Sequence, residues 1–227
     1  MIRLTDIHKE YENGTKALKG VSLQIDDGDF IFLVGPSGSG KSTIIKLITG
    51  EIQATDGQLM VNGYNMNDIS EKQIPLMRRT LGVVFQDFRL IEKKTVNENL
   101  EVAMRAVGAV PREIQRRIPY VLGLVGLTGK GRQYPTQLSG GEQQRVAIAR
   151  AIVNEAPIIF ADEPTGNLDT KMSVEIMDLF TKLNKEMRRT IILVTHEEDI
   201  ALYANRIIKI VDGEIHSDVI NTKRVQK

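Results

Sequence analysis

A short glycine-rich stretch offers the most specific chemistry in this sequence. It fits the spacing G-x-x-x-x-G-K-[ST] and consists of Gly35, Pro36, Ser37, Gly38, Ser39, Gly40, Lys41 and Ser42. The apolar run Phe30–Val34 before it predicts a buried strand, and residues 43–48 after it predict a helix. In that order, successive backbone N–H groups and the positive end of the helix surround one anion. An ordinary strand–helix turn is the alternative, which the flanking elements disfavour.

The same stretch predicts how a nucleoside triphosphate would be held. Lys41 should reach the β- and γ-phosphates, and the Ser42 hydroxyl should bind Mg²⁺. Two acids, Asp162 and Glu163, follow the apolar residues 158–161, and carboxylates at the carboxyl end of a strand stand where α/β proteins bind ligands. Asp162 is then a second partner for Mg²⁺, and Glu163 can polarise a water molecule against the γ-phosphate. By themselves two such acids more often form a solvated loop, so this prediction depends on the glycine-rich turn.

A second helix start lies in the middle of the chain. Ser139, Gly140 and Gly141 precede the apolar residues 146–149, and the glycines would allow close approach of the backbone to an anion. The plain alternative is that Ser139 caps the helix and the glycines only lengthen a loop. Taken alone, these residues favour the plain cap.

Composition narrows the class of protein. The chain has 227 residues, of which 41% are hydrophobic, a formal net charge of +1 and no cysteine. Its length fits one large α/β domain, or such a domain with an inserted subdomain. The balanced charge gives no support to a nucleic-acid-binding surface, and the lack of cysteine excludes disulfides and thiolate sites. No apolar run approaches the ~20 residues that span a bilayer, so we expect a cytosolic chain unless a partner holds it at a membrane.

The pattern of elements predicts an α/β fold. The first part reads as strands at residues 2–11, 21–25 and 81–85, with an Asn62-Gly63 hairpin turn. Residues 86–153 are helical in pattern; Thr95 and Glu98 predict a capping box, Pro111 a helix start, and Pro119 a kink or break. Strands then alternate with helices, including one expected at residues 198–204. We therefore expect a mostly parallel sheet covered on both faces, with the helical block inserted into it.

Taken together, the motifs resemble those of ABC-type ATPases, from Tyr11 to about Gly213. Residues 138–145 resemble the signature motif of that family, and residues 166–169 its D-loop. The remaining matches, in chain order, are Tyr11, Gln86, Asp162, Glu163 and His196. The resemblance implies a P-loop NTPase fold with a RecA-like core (1–86 and 154–227), an antiparallel β subdomain, and a helical subdomain (87–153) that carries the signature.

The resemblance also implies a role for each matching residue. Tyr11 would stack on adenine, Gln86 would contact Mg²⁺ and the attacking water, His196 would contact the γ-phosphate, and Thr43 would join the phosphate-binding set. Ser139 and the Gly140 and Gly141 amides of one subunit would cover the ATP bound to the other, giving a homodimer that closes on ATP. Each residue keeps a plain alternative: a strand aromatic for Tyr11, a strand-end cap for Gln86, and a solvated loop histidine for His196.

Within the family, residues 163–169 are shared by a group of small cassettes that serve cell division, lipoprotein release and MacB-type export. Residues 86–90, after the apolar 83–85, resemble the cell-division members most. That resemblance implies a separate, FtsX-like transmembrane partner, a place on the cytoplasmic face of the membrane, and control of peptidoglycan hydrolases. We expect the partner to meet residues 87–105, for which a bland solvated surface is the alternative. A transport ATPase remains the main alternative function; a soluble nucleic-acid-linked ATPase is disfavoured by the charge balance.

Overall fold

The strands of this chain form two sheets, and helices connect many of them. The computed structural model describes residues 1–195, 200 and 203–222. The strands in this part are β1 (Ile2–Glu10), β2 (Lys16–Ile25), β3 (Phe30–Val34), β4 (Asp56–Val61), β5 (Tyr64–Asn65), β6 (Leu81–Val84), β7 (Ile158–Asp162), β8 (Thr190–Thr195), β9 (Arg206–Val211) and β10 (Glu214–Ile220). The helices are α1 (Lys41–Ile48), α2 (Ile74–Arg78), α3 (Val96–Ala106), α4 (Pro111–Leu124), α5 (Gly140–Ile152) and α6 (Thr170–Met187), with a 3₁₀ turn at Pro135–Gln137.

The larger sheet has six strands in the order β10-β9-β3-β8-β7-β6. Every pairing from β9 to β6 is parallel, and only β10 runs antiparallel at the edge. The smaller sheet is antiparallel, in the order β2-β1-β4-β5. The expected combination of a mostly parallel sheet and an antiparallel β subdomain is therefore confirmed.

Two apolar layers cover the faces of the parallel sheet. One layer joins Phe30, Phe32 and Phe180 to the helices α3–α6, and the other joins Ile31 and Leu33 to α1 and the antiparallel sheet. Successive residues of β3 thus point into opposite layers, which is why this strand is apolar at every position. Among the described helices, none combines the length and the apolar character that crossing a bilayer requires.

The structure excludes the break that was one of the two alternatives at Pro119, and it adds two elements. Helix α4 continues through Pro119 without a break. Pro119 and Gln115 are both exposed. Pro119 has no N–H to offer the Gln115 carbonyl, and at an exposed position water can replace that lost helical hydrogen bond. Helix α2 and strand β10 were not predicted, because the first is a single short turn and the second alternates only weakly. The helix expected at residues 198–204 lies largely outside the described residues.

The segment before α3 is fixed by one buried side chain. Asn99, which is 1% exposed, donates from its amide to the carbonyls of Ile91, Lys94 and Thr95 and accepts the Ile91 N–H at 2.8 Å. The predicted capping box at Thr95 and Glu98 forms beside it. These contacts fix the entry to α3 from the loop that follows β6.

We expect Asn99→Leu to lower the free energy of unfolding by about 3 kcal/mol, because it leaves several buried backbone groups without partners. Asn97→Ala, at an exposed position on the same helix, is the matched control and should change it by less than about 0.5 kcal/mol. Urea denaturation of the two variants measures the difference. Equal stabilities would contradict this account of the loop.

Candidate nucleotide site

Parallel pairing gathers the predicted residues at one edge of the large sheet. Strands β3, β6 and β7 all end there. The glycine-rich turn follows β3, Gln86 comes just after β6, and β7 ends in Asp162, with Glu163 next. A cavity of about 580 Å³ opens at this edge. The predicted residues that line it are Ser37, Gly38, Gly40, Lys41, Ser42, Thr43, Gln86, Asp162 and Glu163.

The glycine-rich turn has a backbone that fits an anion. Gly35, Gly38 and Gly40 have φ of 154°, 78° and 108°. A Cβ on Gly35 would overlap the Ile210 carbonyl, and one on Gly40 would lie 2.7 Å from the Ala17 carbonyl, so both positions require glycine. No side chain caps the start of α1. Its first N–H groups are therefore available to a ligand, as phosphate binding requires.

Lys41 is buried and held by its own loop. Its ammonium donates to the carbonyls of Gly35 at 2.6 Å and Pro36 at 2.8 Å, and it lies 3.5 Å from the Ser39 hydroxyl. Burial lowers the pKa of Lys41, while the carboxylates of Glu163 and Asp162 act in the opposite direction. The lysine is thus a desolvated cation that faces two acids across the cavity.

The two acids repel each other in a partly buried site. Burial raises the pKa of Asp162 and the charge of Glu163 raises it further, against the opposing charges of Lys41 and Arg89. Glu163 has φ of 45°, and its N–H donates to the Val194 carbonyl at 2.9 Å. The repulsion between two carboxylates in a partly buried site is unfavourable, and a divalent cation would relieve it. The donor set of Ser42, Asp162 and Gln86, which is all oxygen, fits Mg²⁺.

Gln86 begins a turn that other elements hold in place. Residues 85–89 form this turn, called the Q-loop below. Asn167, from the segment that resembles the D-loop, donates to the Gln86 carbonyl at 3.0 Å. Arg150, which the sequence analysis did not single out, donates to the carbonyls of Phe88 and Arg89. An arginine inside the otherwise apolar end of α5 was the available signal, but nothing in the sequence pairs it with the Q-loop.

Of the other predicted residues that the structure describes, none lines the cavity. Tyr11 is at its margin, where its hydroxyl lies 3.2 Å from that of Thr43. Gly35, Pro36 and Ser39 belong to the phosphate turn but contact the Lys41 ammonium instead of lining the cavity. His196 lies outside the described residues.

The signature residues stand apart from this chain's own cavity. Ser139 caps α5 and forms a capping box with Glu142, so the plain cap expected from sequence is present. The Ser139 N–H and the Lys130 ammonium both donate to Glu142, which lowers the pKa of that carboxyl. Ser139 and Gly140 are exposed. This helix start is therefore accessible to a second molecule and does not face the nucleotide site of its own chain.

A second cavity, a groove of about 410 Å³, lies between α2, β6, α3 and α5. Its lining combines apolar residues such as Ala103 and Val107 with Arg78, Arg79 and Arg150. In the described part of the chain, no carboxylate lies within ion-pair distance of these arginines. Of the expected partner region, residues 87–105, only Ala103 lines this groove.

A model of the family described as ABC transporter matches residues 18–166. The chain belongs to the ABC transporter family. Two relatives carry the description cell division ATP-binding protein FtsE. The Streptococcus pneumoniae protein is 48% identical over 96% of this chain and 95% of its own length, and the Bacillus subtilis protein is 48% identical over 96% of each. The resemblance to the cell-division members of the family is thus confirmed.

Solved structures place the fold in the same family. The ATP-binding cassette MJ0796, described as a dimer in a post-hydrolysis state bound to ADP and Pi, superposes with a TM-score of 0.86 at 38% identity over 97% of this chain and 98% of that one. The ABC ATPase fold expected from the motifs is therefore confirmed.

Because the pKa of Asp162 is raised, we expect the stability of the ligand-free protein to depend on pH. A carboxyl whose folded pKa is raised contributes stability that is present below its unfolded pKa and is lost as the pH rises through the folded value. Without nucleotide and metal, Asp162→Asn should therefore melt at a higher temperature than wild type at pH 7, and the gain should vanish near pH 4, about the unfolded pKa.

Thermal melts between pH 4 and 8 in metal-free buffer measure this difference. Asp68→Asn, at an exposed position, is the control and should show no comparable gain. A gain at Asp162 that is independent of pH would argue against the charge repulsion.

Proposed function

We propose that this chain is an Mg²⁺-dependent ATPase that drives a membrane-bound cell-division complex. The observation that carries the enzymatic part is the single cavity shared by the phosphate turn, Gln86, Asp162 and Glu163. Membership in the ABC transporter family and the ADP and Pi held by the related cassette MJ0796 support ATP hydrolysis.

Binding would begin at the phosphate turn. The free N–H groups at the start of α1 would receive phosphate oxygens, and Lys41 would exchange the Gly35 and Pro36 carbonyls for the β- and γ-phosphates. Ser42, Asp162 and Gln86 would hold Mg²⁺, which neutralises phosphate charge when bound. Tyr11, next to Thr43, is placed to stack on the adenine ring.

Glu163 would act on the attacking water. Its carboxylate lines the same cavity as Lys41, and its positive φ is the kind of local strain that accumulates at functional sites. It would accept a proton as the water oxygen bonds to the γ-phosphorus and the bond to the β–γ bridging oxygen breaks, giving ADP and phosphate. We assign contact with the γ-phosphate to His196.

The signature residues would complete the site of a second copy. Ser139 and Gly140 are exposed at the start of α5 and do not line their own chain's cavity. The dimeric state of the related cassette MJ0796 supports a head-to-tail homodimer in which each signature covers the other's ATP. In such a dimer, ATP acts as part of the interface, and the monomer is a poor ATPase.

The division role is supported by the similarity to FtsE proteins over 96% of the chain. We propose a separate, FtsX-like transmembrane partner, with this chain on the cytoplasmic face of the membrane and its ATP cycle controlling peptidoglycan hydrolases. The groove lined by Ala103, Arg78 and Arg79 suits an apolar helix that carries an acidic residue. Contact there would place the partner beside the Q-loop.

Glu163→Gln should bind ATP with near-wild-type affinity but hydrolyse it roughly 100-fold more slowly or worse, because the general base is lost. It should accumulate as an ATP-bound dimer. Phosphate release and size-exclusion chromatography with ATP measure the two effects. Normal turnover would remove Glu163 from this role.

Lys41→Ala is the complementary variant, since it removes the phosphate-binding cation. It should lose most of its nucleotide affinity in a fluorescent-ATP titration and should form no ATP-dependent dimer. Unchanged binding would contradict the assignment of the phosphate turn.

Depletion of the protein should block septation, and a plasmid-borne copy should restore it. Arg79→Glu, which reverses charge in the groove, should restore it poorly, whereas Arg112→Glu, on the exposed face of α4, should restore it fully. Microscopy scores the result. Normal septation with impaired export of lipoproteins, peptides or solutes would favour a transport ATPase instead.

A further inference from the structure

The backbone after Gln86 is strained. Phe88 and Arg89 have φ of 58° and 46°, although neither is a glycine. The Arg89 N–H donates to the Asp87 carbonyl at 2.6 Å, so Phe88 is the central residue of a three-residue turn with positive φ. This form of turn is rare, and it persists only where surrounding contacts offset its cost. The Q-loop therefore depends on contacts from elsewhere in the fold.

Arg150, near the end of α5, supplies two of those contacts. Its Nη2 donates to the Phe88 carbonyl at 2.8 Å, and its Nη1 donates to the Arg89 carbonyl. A guanidinium presents its N–H groups in a planar, fixed fork, so one side chain can hold both carbonyls at once. A lysine at this position would offer a single ammonium and could not reproduce that geometry.

Gln86 is held from the opposite side by the D-loop. Asn167 donates to the Gln86 carbonyl at 3.0 Å, and a Cβ on Gly166 would lie 3.1 Å from the Gln86 amide nitrogen. Within the Q-loop, the Arg89 guanidinium lies 3.8 Å from the centroid of the Phe85 ring. Gln86 is thus confined between Asn167 and the turn that Arg150 holds.

We propose that Arg150 is a positioning residue for ATP hydrolysis: it holds the Q-loop in the strained form that presents Gln86 to the nucleotide cavity. This inference rests on the proposed ATPase function. Arg150 and the signature cap Ser139 belong to one continuous helix, about 16 Å apart along its axis. The Q-loop is therefore attached to the same rigid element that carries the signature.

The test uses the full chain with Arg150→Met and Arg150→Lys. We expect hydrogen exchange of the Q-loop amides to speed up at least tenfold in Arg150→Met and by less in Arg150→Lys. The kcat for ATP should fall roughly 10- to 100-fold, because a small displacement of a positioning group is costly. The affinity for ATP measured without Mg²⁺, which depends on the phosphate turn and not on Gln86, should stay within about twofold.

Arg117→Met is the matched control. Arg117 is also partly buried, and its guanidinium also spans two consecutive carbonyls, those of Ile152 and Val153, but it does not touch the Q-loop. It should lower the melting temperature about as much as Arg150→Met while leaving kcat and Q-loop exchange near wild type. If Arg150→Met does not fold, Arg150→Lys carries the comparison.

A double-mutant cycle with Gln86→Ala shows whether Arg150 affects kcat through Gln86. If Arg150 acts through Gln86, Arg150→Met should change kcat by less than about twofold in the Gln86→Ala background. Losses that multiply in the double variant, or wild-type Q-loop exchange in Arg150→Met, would overturn the proposal. Failure of the proposed function would look different, since the wild type would then hydrolyse no ATP while the exchange difference remained.

Discussion

Parallel pairing of the strands in the large sheet is the constraint on which the site depends. Because β3, β6 and β7 run in the same direction, the loops that follow them must all emerge at one edge. The phosphate turn, Gln86 and the acid pair are spread over more than half of the chain, yet they line one cavity. The apolar layers on both faces fix the sheet and thereby fix the spacing of these loops.

The cavity brings together charged and polar groups that are unfavourable without a ligand. Lys41 is desolvated, Asp162 and Glu163 repel each other, and the N–H groups at the start of α1 have no side-chain cap. Each of these features costs stability, and each would be relieved by a polyanion together with a divalent cation. The site is therefore complementary to a polyanion with a divalent cation, and the free protein is less stable as a result, as is common for functional sites.

Helix α5 connects the signature residues to the Q-loop. Its start carries Ser139 and Gly140, the exposed residues of the signature, and its end carries Arg150, which holds the Q-loop. Gln144, buried near its middle, donates to the Pro164 carbonyl at 2.7 Å, directly after Asp162 and Glu163. A displacement of this helix would therefore move its contacts with the Q-loop and with Pro164, which is next to Glu163. The groove between α2, α3 and α5 lies against the same helix, where a partner would act on it.

Features encoded by neighbouring residues could be predicted from the sequence. The phosphate turn, the Asn62-Gly63 hairpin, the capping box at Thr95 and the apolar strand before Asp162 all depend on local backbone geometry and side-chain periodicity, and each appears as expected. The order of the motifs also carried the resemblance to the ABC family, which the match over residues 18–166 confirmed.

The contacts that hold Gln86 could not be predicted in this way. Arg150 and Asn167 reach the Q-loop from positions 62 and 81 residues away, and whether an arginine meets a carbonyl, an acid or water depends on how the helices pack. The continuity of α4 through Pro119 likewise depends on which face is exposed. Local patterns specify which residues can do chemistry, whereas packing between distant elements specifies which of them meet, because burial and strand register are properties of the whole chain.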